Sequence, residues 1–367
     1  MAKEIDLTPK YFPIIPAKEK IELPTSFDDI ELSGIKTGNL IKEVSNASKL
    51  KTAAKMADCI VAKSGGDYTS IQAALDAGGK NIFVKKGTYE ISSAITILSS
   101  GVTIKGESKT NTIIKLANGA NVSAIVVGNG ATTLSDIVIE DIQVDGNKAN
   151  QTTTSHGIYF YGASENYISE SMVKDCWIHD CYNAGISLNW GNGNTINGNR
   201  ITSNDEYGIY GYGYISDNLI MGNAVKSNYY GIYLDNTNDT IVLGNHVKSN
   251  TYFGINLHVA RYCLIMGNMA NSNREGIYIH SSDDNIIIEN HANSNTYRGI
   301  YLYYSDKNSI IGNRVQGNGT WGIQIADVDS DSNLVVKNYC TGNTSGGIDN
   351  AGTGTILAAS TTNDNIV

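Results

Sequence analysis

The stretch NLIMGNAVKSNYYGI, at residues 218–232, decides the fold, because its pattern returns along the chain every 22 to 25 residues. Its closing Gly-Ile pair recurs at Gly185-Ile186, Gly208-Ile209, Gly231-Ile232, Gly254-Ile255, Gly276-Ile277, Gly299-Ile300 and Gly322-Ile323. Asparagines with the same spacing are Asn199, Asn223, Asn245, Asn268, Asn290, Asn313 and Asn338, and each has a second Asn five residues later. A fixed period of this length indicates stacked structural units.

The repeated unit is predicted to consist of short β-strands. No window has helical spacing, and the segments between the Asn and Gly marks are short runs of β-branched and aromatic residues. In the segment GIYLD, Ile232 and Leu234 share one face, while Tyr233 and Asp235 point the other way. Three such strands form one coil, and successive coils stack about 4.8 Å apart. The result is a single-stranded parallel β-helix with an interior of Ile and Leu. Asn is expected at left-handed corners, bonded to the equivalent Asn of the next coil.

Two phrases of the repeat carry a family resemblance. They are N-x-I-x-G-N, as in residues 218–223, and S-N-x-x-G-I, as in residues 227–232. With these phrases, residues 58–350 resemble the NosD-like carbohydrate-binding and sugar-hydrolase repeats of the pectate-lyase-like superfamily. The resemblance implies a right-handed parallel β-helix. It does not fix an activity, because the superfamily includes lyases, hydrolases, epimerases and adhesins.

The chain is expected to have four parts. Residues 1–57 contain all four prolines and are predicted to form an arm for attachment or oligomer contacts, or else an undocked tail. Residues 58–110 should hold a capping helix within residues 66–78 and the first coils. The β-helix should occupy residues 111–345, with a last coil and tail at 346–367. The phrases DYTSIQAALD, VKKGTY and GVTIKG resemble the start of phage tailspike β-helix domains.

Composition excludes several classes of function. The net charge of −9 argues against nucleic acid or an anionic membrane as partner, and there is no apolar run long enough to span a bilayer. The five cysteines are scattered, which favours thiols packed in the interior over disulfides or a zinc site, so no metal or cofactor is predicted. No signal peptide is visible, and an extracellular or virion-surface location is expected.

An apolar stripe is expected on the outer face of the strand that precedes each Gly-Asn. The residues beside the inward-pointing one should face outward, and they are Leu219, Met221, Ile241, Leu243, Leu264, Met266, Ile286, Ile288, Ile311, Leu334 and Val336. Such a patch is larger than a soluble monomer normally exposes. Burying about ten such side chains at roughly 1.5–3 kcal/mol each would drive association, so we expect a homo-oligomer, and specifically a trimer. Alternatively, residues 1–57 or a C-terminal segment cover the stripe.

The outward residues of the Gly-Ile strand are predicted to form two ladders rich in tyrosine. The tyrosines expected to bind a glycan are Tyr210, Tyr212, Tyr233, Tyr278, Tyr301 and Tyr303. Aromatic rings pack against sugar rings, and the hydroxyl groups form hydrogen bonds. The alternative interpretation is that stacked tyrosines only stabilise the sheet.

One column of polar residues is a candidate catalytic site. Asp235, His258 and His280 are expected at equivalent positions on consecutive coils, about 5 Å apart, where they could form an acid–base pair. The alternative is that solvent-facing histidines are merely tolerated. Ser155-His156-Gly157 resembles a polygalacturonase motif, but the N-T-D and D-D motifs that should precede it are absent.

The sequence therefore predicts a tailspike-like or surface adhesin β-helix that binds a polysaccharide. A polysaccharide lyase or glycoside hydrolase and a purely structural filament or particle-decoration protein are the alternatives.

Overall fold

The computed structural model describes residues 57–358 and 361–362. The predicted arm, apart from Ala57, lies outside the described residues. Within them the fold is the expected right-handed parallel β-helix, with one α-helix, Ile71–Asp76, and one 3-10 helix, Lys148–Asn150. The described part of the chain contains no helix long and apolar enough to cross a membrane.

Sheet I runs the full length of the described β-helix and has thirteen strands. In order along the sheet they are Cys59–Val61, Asn81–Val84, Thr103–Gly106, Val138–Glu140, Met172–Lys174, Thr195–Asn197, Leu219–Met221, Ile241–Leu243, Leu264–Met266, Ile286–Ile288, Ser309–Ile311, Leu334–Val336 and Ile356–Ala358.

Sheet II follows sheet I in each coil. Its first eight strands are Gly87–Ile91, Thr112–Leu116, Gln143–Asp145, Trp177–His179, Arg200–Thr202, Ala224–Lys226, His246–Lys248 and Met269–Asn271. Single bridges through His291 link Met269 to the continuation of the sheet, which consists of Arg314–Gln316, Tyr339–Thr341 and Thr361–Thr362.

Sheet III has eleven strands and contains the Gly-Ile pairs. They are Ile95–Ile97, Ile125–Val127, Ile158–Tyr161, Ala184–Asn189, Tyr207–Tyr212, Tyr230–Asp235, Phe253–His258, Glu275–His280, Ile300–Tyr303, Trp321–Ile325 and Gly346–Asn350.

A fourth sheet, not predicted from the sequence, lies between sheets III and I. Its five strands have two residues each and are Leu134–Ser135, Ile168–Ser169, Gly191–Asn192, Ile215–Ser216 and Thr237–Asn238. The middle coils therefore have four strands, because the corner after sheet III is long enough to pair briefly with the corners of neighbouring coils.

The register of the sheets follows the sequence period. Ile232 pairs with Ile255, and Val242 with Ile265, so each residue lies beside its equivalent one period later. The inward side chains of one coil, including Ile232, Val242 and Val247, are fully buried in one continuous core. The five cysteines are buried thiols that form no disulfide, as the sequence predicted.

The corners differ from the prediction in one respect. The left-handed backbone conformation is taken by the residue before each ladder asparagine, such as Gly244 (φ 62°) before Asn245 or Ser249 (φ 56°) before Asn250. The expectation that Asn itself occupies these corners is therefore wrong. The asparagine side chain instead turns inward, where it can satisfy backbone groups that would otherwise be buried without a partner.

The predicted bonding between equivalent asparagines is confirmed. Asn245 Oδ1 accepts from both Asn223 N and Asn223 Nδ2 at 2.9 Å, and Asn245 Nδ2 donates to Ile220 O at 2.8 Å and to Asn268 Oδ1 at 3.0 Å. Each asparagine thus connects three coils at the interior corner.

The predicted capping helix is also present. Ser70 Oγ accepts from Ala73 N at 3.1 Å as the N-cap, and Gly78 follows the helix in a left-handed conformation. Ile71 and Ala74 are buried in the core, so the helix covers apolar residues of the first coils.

The apolar stripe on sheet I is less accessible than the sequence pattern predicts. The residues that flank each central one lie outside the interior cluster, but Leu219, Leu264 and Ile288 each expose at most 2% of their surface. Ile241, Ile311 and Val336 are also buried, and the remaining five are half-buried: Met221, Leu243, Met266, Ile286 and Leu334. Side chains stacked at the strand spacing of about 4.8 Å shield one another.

Candidate functional site

The two predicted ladders lie on the outer face of sheet III. The register places the first in the order Tyr159, Ser187, Tyr210, Tyr233, Asn256, Tyr278, Tyr301 and Gln324. The second is Tyr161, Asn189 and Tyr212, followed by Asp235, His258, His280 and Tyr303. Six of the side chains are the tyrosines that the sequence predicted for glycan binding. We call this surface the tyrosine face.

Many tyrosine rings of this face stack on one another. Tyr207 and Tyr210 are parallel with centroids 4.2 Å apart, and Tyr278 and Tyr301 are parallel at 4.9 Å. A ring whose faces are covered by neighbours presents its edge and hydroxyl group to solvent. Stacked pairs of this kind are what the sheet-stabilising interpretation expects, and the predicted glycan binding stays a prediction.

Burial raises the pKa of several of these hydroxyls. The pKa of Tyr233 is raised to about 12, chiefly by desolvation and then by the Asp235 carboxylate, and desolvation also raises the pKa of Tyr210, Tyr212 and Tyr278. The phenols therefore remain neutral at physiological pH, where each can donate one hydrogen bond as well as accept.

At one end of the face the hydroxyl groups are already connected. Tyr159 and Tyr212 hydroxyls lie 2.8 Å apart, and Asn189 Nδ2 donates to the Tyr159 hydroxyl at 3.3 Å. His156 packs against the Tyr159 ring with centroids 4.8 Å apart.

Two polar residues interrupt the first ladder, and each has a buried oxygen atom without a hydrogen-bond partner among the described residues. Ser187 lies between Tyr159 and Tyr210, and its fully buried Oγ has no hydrogen-bond partner. Asn256 lies between Tyr233 and Tyr278, and its buried Oδ1 is likewise unpaired. Buried polar atoms without protein partners are uncommon, and a water or a ligand group can satisfy them.

The candidate catalytic residues are adjacent, as predicted. Asp235 Oδ1 lies 2.8 Å from His258 Nδ1, and the rings of His258 and His280 have centroids 4.9 Å apart. Burial and the neighbouring His258 lower the pKa of His280. With its Nδ1 proton held by Asp235, a neutral His258 would keep Nε2 free as a proton acceptor, which is the arrangement of an oriented general base.

A charged cluster borders this column. Arg298 Nη1 donates to Glu275 Oε1 at 2.9 Å, and the Arg298 guanidinium lies 4.0 Å from the Tyr301 ring centroid. Glu275 is buried, and its desolvation raises the pKa of the carboxyl group. Arg274 lies between the rings of Tyr252 and Tyr297, at 4.3 and 4.7 Å.

Sequence reasoning missed the contribution of His156, Ser187 and Asn256 to this face. Ser187 and Asn256 lie on the first ladder, but the sequence pattern points only to its tyrosines as binding residues. Their signal was the break in an otherwise aromatic column. His156 lies in an irregular coil, where the period gives no position.

A protein-family model matches most of the chain. The model described as "Periplasmic copper-binding protein (NosD)" matches residues 60–255 and 213–367. The chain belongs to the NosD family. No curated protein matches its sequence.

Solved structures share the fold of this NosD-family chain. The A-module of the mannuronan C-5 epimerase AlgE6 of Azotobacter vinelandii has a TM-score of 0.65 at 18% identity, over 80% of this chain and 93% of that one. The DFA-IIIase of Arthrobacter chlorophenolicus A6 has 0.59 at 16%, over 70% and 76%. The Dettilon tailspike protein has 0.59 at 17%, over 80% and 63%. Identities this low show a common β-helix and leave the activity open.

The family description names copper, and the possible metal-ligating side chains of this chain are its cysteines and one group of acidic and histidine residues. Burial raises the pKa of Cys176 and Cys263 to about 12, which disfavours the thiolate that metals require. The described residues contain one group of three or more His, Cys, Asp or Glu close enough to share an ion, Asp145, His179 and Asp180. Both ring nitrogens of His179 are engaged, by Asp180 Oδ2 at 2.7 Å and Gln143 Nε2 at 2.8 Å. Neither set suits copper, which prefers free imidazole and sulfur ligands.

Proposed function

We propose that this chain binds a polysaccharide along the tyrosine face. The most direct support is the ladder of neutral, half-buried tyrosine hydroxyl groups, interrupted by Ser187 and Asn256, whose buried Oγ and Oδ1 atoms have no hydrogen-bond partner among the described residues. Because equivalent residues repeat at each coil, a linear polymer lying along the axis meets similar hydrogen-bonding groups from one coil to the next.

The comparisons support the same class of ligand. The similar folds include a mannuronan C-5 epimerase, a DFA-IIIase in complex with GF2, and a tailspike. The periplasmic family description and the similarity to a tailspike favour action outside the cytoplasm, on a virion or cell surface. We further propose that the chain assembles as a homo-oligomer, with a trimer as the specific expectation.

Removal of single hydroxyl groups tests the proposed face without disturbing ring packing. The double variant Tyr278→Phe/Tyr301→Phe keeps both rings of the parallel pair. Each lost hydrogen bond is worth about 0.5–1.5 kcal/mol, so binding should weaken about tenfold. Affinity gel electrophoresis against alginate, polygalacturonate, dextran and inulin measures this.

Tyr339→Phe is the matched control, because Tyr339 is 42% exposed and lies on sheet II. It should bind like the unmodified chain. The proposal would be contradicted if the chain bound none of these polysaccharides of uronate or neutral hexose units. Equal binding by all variants would also contradict it.

The hydrogen bond between Asp235 and His258 favours a second function, cleavage of the bound polysaccharide by acid–base chemistry. If His258 is the oriented base, Asp235→Asn and His258→Gln should each abolish the shortening of a polysaccharide, while binding to the tyrosine face persists. Chain length measured by size-exclusion chromatography gives the readout. His246→Gln, an exposed histidine on sheet II, is the control. Unchanged shortening in the Asp235 and His258 variants would exclude this site.

A further inference from the structure

Three aromatic side chains on successive coils form a column at the start of the fourth sheet. Tyr167, Trp190 and Tyr214 each directly precede a strand of that sheet. The Trp190 and Tyr214 rings are nearly parallel, at 20° with centroids 5.8 Å apart, and the centroids of Tyr167 and Trp190 are 6.2 Å apart. Tyr167 and Trp190 are half-buried, whereas Tyr214 exposes 53% of its surface. We call these three residues the corner platform.

The backbone at this corner is adapted to the indole ring of Trp190. Trp190 takes a left-handed conformation (φ 54°), which costs free energy for a bulky residue. Gly213 on the next coil leaves room for the ring, because a Cβ there would lie 2.8 Å from Trp190 Nε1. Strained residues that the surrounding structure holds in place cluster at ligand sites, which makes this corner a candidate for one.

The repeat is also interrupted at the platform. Sheet III pairs Asn189 with Tyr212, whereas the fourth sheet pairs Asn192 with Ser216, so the second of these coils has one extra residue at the corner. An extra residue in one strand redirects the side chains beside it. Here it lies next to the exposed ring of Tyr214.

Trp190 differs from Trp177, the tryptophan of sheet II, in what its ring contacts. The Trp177 ring is covered by the Arg200 guanidinium at 4.5 Å, and its Nε1 donates to Thr202 Oγ1 at 3.3 Å. Trp190 Nε1 donates to no residue that the structure describes. The platform therefore combines apolar ring surface with an unused donor, and a sugar ring can use both through its C–H groups and its hydroxyls.

Uncharged polar side chains continue the platform outward. Ser169, Asn192 and Ser216 pair with one another two residues after the three aromatics, and all three are half-buried. Asn192 Oδ1 accepts from Ser216 N at 3.1 Å, so Nδ2 is the part of the amide left to donate to a ligand. This column supplies donors and acceptors that match neutral hydroxyl groups.

The charges at the rim of the platform are negative. Glu170 and Asp217 are exposed and directly follow the polar column. The sequence has no Lys or Arg in residues 161–170, 189–193 or 212–217, so these segments provide no cation to offset them. Carboxylates at this place oppose a uronate or sulfated sugar and do not oppose a neutral one.

We propose that the corner platform binds one uncharged sugar unit of the polysaccharide, with the rings of Trp190 and Tyr214 packed against the sugar ring. Asn189 of the second ladder directly precedes Trp190, so the platform continues the tyrosine face at its edge. The inference rests on the proposed function, because it adds a subsite for the same ligand, and it restricts that ligand to one with a neutral unit at this place.

Tryptophan emission of the full chain reports on the platform, because a bound sugar changes the surroundings of the Trp190 indole. Dextran, inulin, mannohexaose and cellohexaose are the neutral probes, and hexagalacturonate is the anionic one. At least one neutral probe should change the emission more than hexagalacturonate does. The change should be absent in Trp190→Phe and should persist in Trp177→Phe, the matched control on sheet II.

The affinity for the same neutral probe measures the contribution of each ring. Trp190→Ala and Tyr214→Ala should each weaken binding by about two- to tenfold, the range of a single aromatic contact. Circular dichroism verifies that both variants remain folded, which is expected for Tyr214 because it is exposed.

The variant Tyr278→Phe/Tyr301→Phe separates this inference from the proposed function. If it weakens binding while Trp190→Ala and Tyr214→Ala do not, the platform is overturned and the tyrosine face stands. If only the two platform variants weaken binding, the platform stands and the tyrosine face fails. An emission change with none of the neutral probes, or with hexagalacturonate alone, would also overturn the platform.

Discussion

At the scale of single residues, His156 is a buried side chain whose protonation the fold disfavours. It is 8% exposed, its Nδ1 has no hydrogen-bond partner, and burial lowers its pKa from 6.5 to about 4. The charged form is disfavoured because an imidazolium at this position would be desolvated without a compensating anion.

This shift predicts a loss of stability in acid. Above pH 6.5 both the folded and unfolded states hold a neutral His156, and as the pH falls toward 4 only the unfolded state binds a proton. The free energy of unfolding should therefore decrease through this window. The pKa difference corresponds to about 3 kcal/mol in total, at about 1.4 kcal/mol per pKa unit.

Denaturant midpoints at pH 7 and pH 4.5 measure the effect. The change between the two should be smaller in His156→Gln than in the unmodified chain, whereas the exposed His246→Gln should behave like the unmodified chain. An identical pH response in His156→Gln would mean that other groups cause the acid sensitivity.

Residue-level chemistry was only partly predictable from the sequence. The outward positions of Asp235 and His258 followed from strand alternation, because side chains alternate across a strand. The hydrogen bond between them and the stacking of Tyr207 on Tyr210 depend on rotamers, which a repeat period does not specify.

At the scale of elements, the asparagine ladder holds successive coils together. Asn245 bonds to backbone groups of Asn223 and Ile220 and to the side chains of two other ladder asparagines. Its removal would leave buried backbone donors and acceptors unpaired, and each costs about 1–3 kcal/mol.

Asn245→Ala should therefore lower the free energy of unfolding by about 3 kcal/mol or more. Asn197→Ala is the control, because Asn197 faces outward on sheet I and is only half-buried. Thermal unfolding followed by circular dichroism compares the two. A similar, small change in both variants would show that the interior ladder contributes little.

The repeat period predicted the strands and their pairing well, because each residue of a β-helix pairs with the residue one period later in the sequence. Gly231-Ile232 and Gly254-Ile255 are one period apart in the sequence, and they lie on adjacent strands of sheet III. The fourth sheet was not predicted, since its two-residue strands have no hydrophobic pattern. The irregular coils before residue 185 gave no period from which to place His156.

At the scale of the whole molecule, the outer face of sheet I is the expected contact between copies of the chain. Met221, Leu243 and Met266 form a half-buried column on this face. The assembly into a homo-oligomer and its number of three copies both stay predictions.

Light scattering should give three times the chain mass. Leu243→Lys should reduce it to the mass of one chain, because a lysine in the column would bring a charge into an apolar contact. Ala224→Lys, on sheet II, should leave the mass unchanged. A single-chain mass for the unmodified protein would contradict this interface.

The central claim is that a polysaccharide lies along the tyrosine face. Hydroxyl-radical footprinting with mass spectrometry, in the presence and absence of a polysaccharide retained in the affinity gels, tests it most directly. Protection of Tyr233, Tyr278 and Tyr301, with unchanged oxidation of the exposed Tyr339 on sheet II, is the predicted result. Protection of Tyr339, with Tyr278 and Tyr301 unaffected, would place the ligand on another face and contradict the account.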